Sequence, residues 1–257
     1  DIIIVGQFVG KTALSAVGAA GSLNFLVIGS VIGLCTGFTV PVAQRFGAQD
    51  FFALKKYVAN IIYTTGVLGV IITVVAVMLT HPLLQLLNTP TDIYTDAYNY
   101  IVIIFAGIGA TMLYNILASL VRALGDSKTP LYFLVFSSIL NIALDVLLIT
   151  RFEMGVRGAA VATIFSQFVS GVLCLVYVKK KFPVLHITKE TKSLDFNCVK
   201  NLIKNGIPLA LQFSITAVGS VMLQSCVNGL GADAIAAVTI GGKTQLMITL
   251  PSETIGA

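Results

Sequence analysis

Long apolar runs recur along the chain, each about as long as a membrane-spanning helix. A helix rises about 1.5 Å per residue, so about 20 apolar residues cross the hydrocarbon core of a bilayer. Such runs occupy residues 22–43, 57–80, 97–121, 131–150, 158–178 and 205–229, a seventh starts at 234, and residues 2–9 resemble the end of another. The pattern predicts an all-α membrane protein. Because both termini fall within spans, we also expect the chain to be part of a longer protein, truncated at both ends.

The composition excludes a soluble domain. Hydrophobic residues make up 56% of the 257 residues and charged residues 11%, whereas soluble domains are about 25% charged. The four cysteines are scattered without CxxC spacing, at Cys35, Cys174, Cys198 and Cys226. We therefore expect reduced thiols that fill apolar space, and neither a disulfide framework nor a cysteine metal site. No cofactor is expected.

The basic residues fall mainly on alternate connections between the apolar runs. Of the 16 Lys and Arg residues, three lie in 44–56, two in 122–130 and seven in 179–204, whereas the other connections hold four. Under the positive-inside rule, the richer set faces the cytoplasm. The net charge of +5 thus reports orientation in the membrane, and we expect no nucleic-acid partner.

The longest polar stretch, residues 179–204, follows the first spans and divides the chain in two. We predict a six-helix amino-terminal lobe at 1–178, a cytoplasmic connector at 179–204, and the first helices of an incomplete second lobe at 205–257. A shift of 221 residues aligns 9–21 with 230–242, with five of thirteen positions identical. This repeat predicts lobes related by a pseudo-twofold axis along the membrane normal. Pro208 is expected in the first turn of the second lobe.

A carboxylate and an amide interrupt the apolar run at 131–150. Asn141 and Asp145 are four residues apart and share one helix face. A mid-span aspartate costs a few kcal/mol to insert and usually faces the bundle interior or an aqueous cavity. Counted from the nearest outer-side charges, four oxygen-bearing side chains fall at depths of about 9 to 15 Å: Asp1, Asn141, Asp145 and Thr163. This set predicts a site for Na⁺ or H⁺.

Simpler interpretations remain open for several polar residues. Asn141 and Thr163 could only make hydrogen bonds between helices, typically worth under about 1 to 2 kcal/mol. Asp1 could merely be solvated at a terminus. Tyr114 and Asn115, which we expect to line a substrate cavity, could serve only in packing.

Three segments resemble the multidrug and toxic compound extrusion (MATE) family: GFTVPVAQRFGAQD at 37–50, RALGDSKTPLYF at 122–133 and SSILNIALDVLLI at 137–149. The start of the chain is similar to that family's first span and the loop after it, and GVRGAAVATIFSQ at 155–167 is similar to its sixth span. These motifs occur in the family's order and spacing over nearly the whole chain.

Membership would imply twelve helices in two lobes, with a central cavity from which an organic, often cationic, compound is exported in exchange for Na⁺ or H⁺. In the family's amino-terminal lobe, a first-span aspartate, a fifth-span Asn-xxx-Asp and a sixth-span threonine form the cation site. The matching residues here are Asp1, Asn141, Asp145 and Thr163. The glutamate that some members use in the seventh span corresponds to Thr216, and the repeat places Met222 opposite Asp1, so the second lobe departs from that pattern.

A lipid-linked oligosaccharide flippase of a related fold is the alternative function. It would need Lys or Arg in its cavity to hold pyrophosphate, and the complete spans carry none well inside them. An enzyme is not expected, because HExxH and GxSxG motifs are absent. We expect a monomeric, multi-pass protein of the bacterial inner (plasma) membrane, with small organic cations and the lipid bilayer as its partners.

Overall fold

The computed structural model describes residues 2–255, apart from the side chains at 247 and 250–255. The described residues form nine α-helices, a π-helical turn at Leu147–Arg151 and a short 3-10 turn at Pro183–Leu185. The α-helices are α1 (Ile2–Phe8), α2 (Lys11–Gly47), α3 (Phe51–Leu86), α4 (Thr91–Ala106), α5 (Ile108–Ala123), α6 (Lys128–Val146), α7 (Gly155–Lys181), α8 (Phe196–Asn228) and α9 (Ala232–Ile255).

Five helices are long and apolar enough to cross a membrane: α2, α3, α6 with its π turn, α7 and α8. A sixth span results when α4 and α5 are counted as one, since the two are bent by 48° at the break between them. The prediction of an all-α, multi-pass membrane protein is confirmed. All four cysteines are free thiols; Cys35, Cys174 and Cys198 are buried, as expected of residues that fill apolar space, whereas Cys226 is exposed.

The apolar run at 97–121 predicts one continuous span, and here the structure differs. The helix breaks at Gly107, between the end of α4 and the start of α5. A Cβ atom at Gly107 would lie only 2.3 Å from Cγ1 of Ile164 on α7. The bend therefore packs against the Ile164 side chain, and the space beside that side chain accommodates a glycine but not a Cβ atom.

Several helices extend beyond the apolar runs, because the helix continues where the chain leaves the hydrocarbon core. α2 begins at Lys11, well before the run at 22–43. α7 continues to Lys181 and α8 begins at Phe196, so the connection between helices is shorter than the polar stretch 179–204. Pro208 lies inside α8, and its expected place in a first turn is wrong.

Helix α8 packs along α2 with its backbone in direct contact. A Cβ atom at Gly33 would lie 2.6 Å from the carbonyl oxygen of Leu209, and one at Gly37 would lie 2.5 Å from the Cα atom of Gly206. Helices approach this closely only where small residues face each other. This glycine crossing joins the two halves of the chain, nearer to the end of α2 and the start of α8.

The turns that precede α2 and α9 correspond to each other in the 221-residue repeat and share a backbone conformation. Gly10 and Gly231, which that alignment pairs, have φ values of 117° and 91°, a region that glycine adopts without strain. Nζ of Lys11 lies 2.8 Å from Oδ1 of Asp233. The two turns therefore lie side by side at the starts of α2 and α9.

The connection between α7 and α8 is tied to α3 by one buried amide. Asn60, 0% exposed, donates to the carbonyl oxygen of Ser193 at 3.3 Å and accepts from the backbone N–H of Asp195 at 2.9 Å. One carboxylate oxygen of Asp195 caps α8 by accepting from the backbone N–H of Asn197, and the other pairs with Lys56. The start of the second half is thereby fixed to the first turns of α3.

Candidate functional site: a polar cavity beside a buried carboxylate

Helices α6 and α7 carry most of the residues that the sequence predicts for a cation site. α6 runs into the π turn, and the chain then reverses so that α7 returns beside it. Glu153 and Gly155 supply the reversal with φ values of 53° and 54°. The polar positions of SSILNIALDV and GVRGAAVATIFSQ consequently face each other across one helix pair.

Asn141 on α6 and Thr163 on α7 are in contact. Nδ2 of Asn141 donates to Oγ1 of Thr163 over 3.4 Å, which is long for a hydrogen bond. The Thr163 hydroxyl in turn donates to the carbonyl oxygen of Ala159 at 3.0 Å. This second bond orients the Thr163 oxygen toward α6, where it accepts from the amide.

Asp145 lies one helical turn beyond Asn141 and is 0% exposed. The π turn at Leu147–Arg151 follows almost directly, and such turns are frequent at functional sites. Asp1, the fourth residue of the predicted site, lies outside the described residues. A carboxylate this deeply buried requires a cation, a proton or polar groups to offset its desolvation.

A cavity of about 270 Å³ opens beside the contact between Asn141 and Thr163, and we call it the polar cavity. Tyr114 and Asn115 of α5, the residues predicted for a substrate cavity, line it as well. Four of the six predicted site residues thus share one surface. The remaining polar residues of its wall are Thr111, Ser137, Ser138, Ser166 and Gln167.

Tyr114 and Asn115 contribute differently to the polar cavity. Tyr114 is buried, and its hydroxyl donates to the carbonyl oxygen of Pro130 at 3.1 Å, which engages the phenol with the first turn of α6. Asn115 is partly exposed, and its Nδ2 atom donates to the carbonyl oxygen of Thr111 at 2.8 Å. Asn115 is therefore the better placed of the two to meet a solute.

The sequence analysis missed Thr111 and Gln167, which face each other across the polar cavity. Oγ1 of Thr111 donates to Oε1 of Gln167 at 2.6 Å and links α5 to α7. A signal was present, because Gln167 follows Thr163 by four residues and Thr111 precedes Asn115 by four. Residues at this spacing share a helix face, so a search for polar pairs of this kind finds both.

The second half of the chain offers no ionisable group at the two aligned positions. Thr216 lies on an exposed part of α8, and its hydroxyl donates to the carbonyl oxygen of Gln212 at 3.3 Å. Met222, which the repeat pairs with Asp1, is 66% exposed. The ionisable residue of the described site is therefore Asp145, on the first half.

Comparisons with known proteins identify the chain's relatives. A family model described as MatE matches residues 1–147. Over 258 residues the chain is 32% identical to the "Probable multidrug resistance protein YpnP" of Bacillus subtilis (strain 168), with 100% of this chain covered. Over 262 residues it is 29% identical to the "Probable multidrug resistance protein YoeA" of the same strain, with 99% covered. The chain spans 57% of the length of each relative.

A solved structure extends the comparison to the fold. It is described as "Inward-facing conformation of a multidrug resistance MATE family transporter of the MOP superfamily" and matches with a TM-score of 0.89 at 24% identity. The match covers 96% of this chain and 57% of that one. The two chains therefore share their helical arrangement over nearly all of the present sequence.

The apolar spans and the polar cavity between them define a multi-pass, α-helical membrane protein. The family match covers more than half of the residues, and the chain belongs to the MatE family. The resemblance predicted from the motifs at 37–50, 122–133 and 137–149 is thereby confirmed.

Proposed function

We propose that the full-length protein is a secondary antiporter that exports organic, often cationic, compounds from a bacterial cell in exchange for Na⁺ or H⁺. One observation carries the proposal: Asn141 and Thr163 meet at the wall of the polar cavity, one helical turn from the buried Asp145. An acidic residue beside a cavity can hold a cation or a proton and respond to what fills the cavity. The names of the relatives, which describe probable multidrug resistance proteins, support small-molecule export.

The coupling ion would be bound by Asp1, Asn141, Asp145 and Thr163. Carboxylate, amide and hydroxyl oxygens are hard ligands and suit Na⁺, while the carboxylates alone suffice for H⁺. The side-chain geometry of α6 and α7 supports this set, since it places the Asn141 amide and the Thr163 hydroxyl at the same level.

Ion loading would drive export by changing the cost of burying Asp145. When the carboxylate is charged and empty, its desolvation penalty favours a state in which the first lobe (residues 1–178) admits water or substrate. Loading Na⁺ or H⁺ removes that penalty, so the helices around the polar cavity can close and expel the substrate. Rocking of this lobe against the second lobe, which starts near residue 205, would then alternate access to the two sides.

The flippase alternative has less support. A cavity for a pyrophosphate-linked sugar needs cationic side chains, and the described residues that line the polar cavity include no Lys or Arg. Its hydroxyls and amides suit a small cation or a compound with hydrogen-bonding groups better than a polyanion.

Efflux of a fluorescent organic cation from vesicles that contain the full-length protein tests the proposal. Gradients of Na⁺ and of pH are imposed separately, on the wild type and on Asp145→Asn. We expect one gradient to drive efflux by the wild type and neither to drive it in the variant. Asp233→Asn, which alters an exposed acid outside the site, serves as the control and retains efflux. Equal efflux by Asp145→Asn and the wild type under both gradients would remove Asp145 from the mechanism.

A further inference from the structure

A second, larger groove lies on the other side of α5 from the polar cavity. It has a volume of about 1070 Å³ and runs between α3, α5 and the end of α7. We call it the α3–α5 groove. Its walls are almost entirely apolar, and the residues that matter for its shape and ends are Val58, Gly66, Val74, Gly109, Lys179 and His186.

Two glycines give the α3–α5 groove its depth. A Cβ atom added at Gly66 on α3 or at Gly109 on α5 would meet no atom within 4 Å. The floor between them is formed by buried side chains such as Ile61 and Ile116. The groove is thus open because glycines replace larger side chains on its walls, while buried side chains form its base.

The length of the groove matches an extended hydrocarbon chain. Its wall on α3 runs from Val58 to Val74, which corresponds to about 24 Å at the helical rise. The hydrocarbon core of a bilayer is about 30 Å thick, so the groove reaches from near the cytoplasmic surface past the bilayer centre. Divided by this length, the volume of about 1070 Å³ gives a mean cross-section of about 45 Å², which is too narrow for a helix about 10 Å across, with a cross-section of about 80 Å².

The cytoplasmic end of the groove carries the positive charge of Lys179. Lys179 and His186 both line it and both are exposed. Nε2 of His186 donates to the carbonyl oxygen of Lys179 at 2.7 Å, which holds the two residues together at the groove mouth. Among residues 2–255, no carboxylate forms an ion pair with Lys179, so its ammonium is available to an anion from the membrane surface.

We propose that the α3–α5 groove binds an anionic phospholipid of the cytoplasmic leaflet. One acyl chain lies along α3 above Gly66 and Gly109, and the phosphate contacts Lys179 and His186. Basic pockets between membrane helices on the cytoplasmic side are suited to such headgroups. The site is separate from the polar cavity, and the inference does not depend on the proposed function.

Native mass spectrometry of the purified full-length protein tests the proposal. The delipidated protein is mixed with equal amounts of palmitoyl-oleoyl phosphatidylglycerol and palmitoyl-oleoyl phosphatidylcholine, and the retained lipid is counted. Each cationic side chain near an anionic lipid is worth roughly fivefold in binding, so we expect at least about fivefold preference for phosphatidylglycerol. Lys179→Gln should reduce that preference about fivefold, whereas Lys189→Gln, an exposed lysine outside the groove, should leave it unchanged.

A groove-filling variant separates lipid binding in this groove from binding elsewhere. Gly66→Leu with Gly109→Leu should abolish retention of the lipid, while Gly219→Leu, at another glycine with nothing within 4 Å, should retain it. Because a Cβ atom at either position meets no atom within 4 Å and the rest of the side chain enters the open groove, the thermal unfolding midpoint without added lipid should not fall below that of the wild type. Four results would each overturn the proposal. Two concern retention: equal retention of both lipids by the wild type, or undiminished retention by the filled variant. The other two are a mass that shows a second copy of the protein in place of lipid, and displacement of the lipid by the fluorescent cation.

Discussion

Asn141 and Thr163 lie 22 positions apart in the chain, yet the amide nitrogen of one is 3.4 Å from the hydroxyl oxygen of the other. The pair bridges α6 and α7 at the wall of the polar cavity, one helical turn from Asp145. A change at either residue therefore tests the proposed cation site without altering its carboxylate.

Replacing Thr163 with Val removes the hydroxyl and keeps the branched shape. A hydrogen bond between membrane helices averages about 0.6 kcal/mol and reaches about 1.7. We therefore expect the cation concentration for half-maximal efflux to rise about threefold to about twentyfold. Vesicles of the full-length protein provide the measurement. Thr163→Ser, which retains the hydroxyl, should stay near the wild type, and a Val variant that behaves like Ser would contradict a role for this oxygen.

The glycine crossing predicts a steep cost for one methyl group. In Gly37→Ala the new Cβ atom would sit 2.5 Å from the Cα atom of Gly206, so α2 and α8 must move apart. Overpacking of this kind costs about 1 to 3 kcal/mol, measured as a lower midpoint of thermal unfolding in detergent. Gly47→Ala, at the end of the same helix with nothing within 4 Å, should cost nothing and can stabilise by up to about 1 kcal/mol. Similar losses in both variants would refute the close contact.

The buried amide of Asn60 predicts that the second half of the chain depends on α3 for its anchorage. Asn60→Leu leaves the backbone N–H of Asp195 and the carbonyl oxygen of Ser193 without this partner. A buried polar group left unsatisfied costs about 1 to 3 kcal/mol. We expect a lower unfolding midpoint and faster proteolysis within 182–195. Asn197→Leu, which alters an exposed side chain nearby, is the matched control, and equal proteolysis of the two variants would rule out the anchor.

Acid should weaken the link between the connector and α3. The hydrogen bond from the Lys56 ammonium holds the pKa of the Asp195 carboxyl below its ordinary value. A carboxyl with a depressed pKa contributes its stability above its unfolded pKa of about 3.9, and that stability is lost as the pH falls through the folded pKa.

Asp195→Asn tests this pH dependence because Asn also caps helices well. We expect the variant to have a lower unfolding midpoint than the wild type at pH 7, and the difference to shrink once the pH falls below about 4. A difference that stays constant over this range would show that the Asp195 charge contributes nothing.

The features that could be predicted from the sequence are those that depend only on distance along a helix, namely the spans and the depth of each polar residue. Apolar length identified the spans, and a fixed rise per residue converted positions into depth, which put Asn141 and Thr163 at one level. Tyr114 and Asn115 followed from their polarity within a span. These are local properties of a helix and need no knowledge of its neighbours.

The remaining features depend on how each helix is rotated about its axis and on which side chains of other helices it contacts. The bond between Thr111 and Gln167 exists only because α5 and α7 turn those faces toward each other. The bend at Gly107 is shaped by Ile164 of another helix, which no local pattern reveals. The position of Pro208 was misjudged because the helix start is set by the Asp195 cap, outside the apolar run.

Where Gly37 and Gly206 meet, the two backbones leave no room for a water molecule. An exchanger wastes its driving gradient if an unbroken water column ever joins the two sides of the membrane, because ions then leak without carrying cargo. In the antiporter proposed above, the glycine crossing would act as a dry seal within the interface between α2 and α8. In this conformation, any aqueous route toward Asp145 has to pass around that seal.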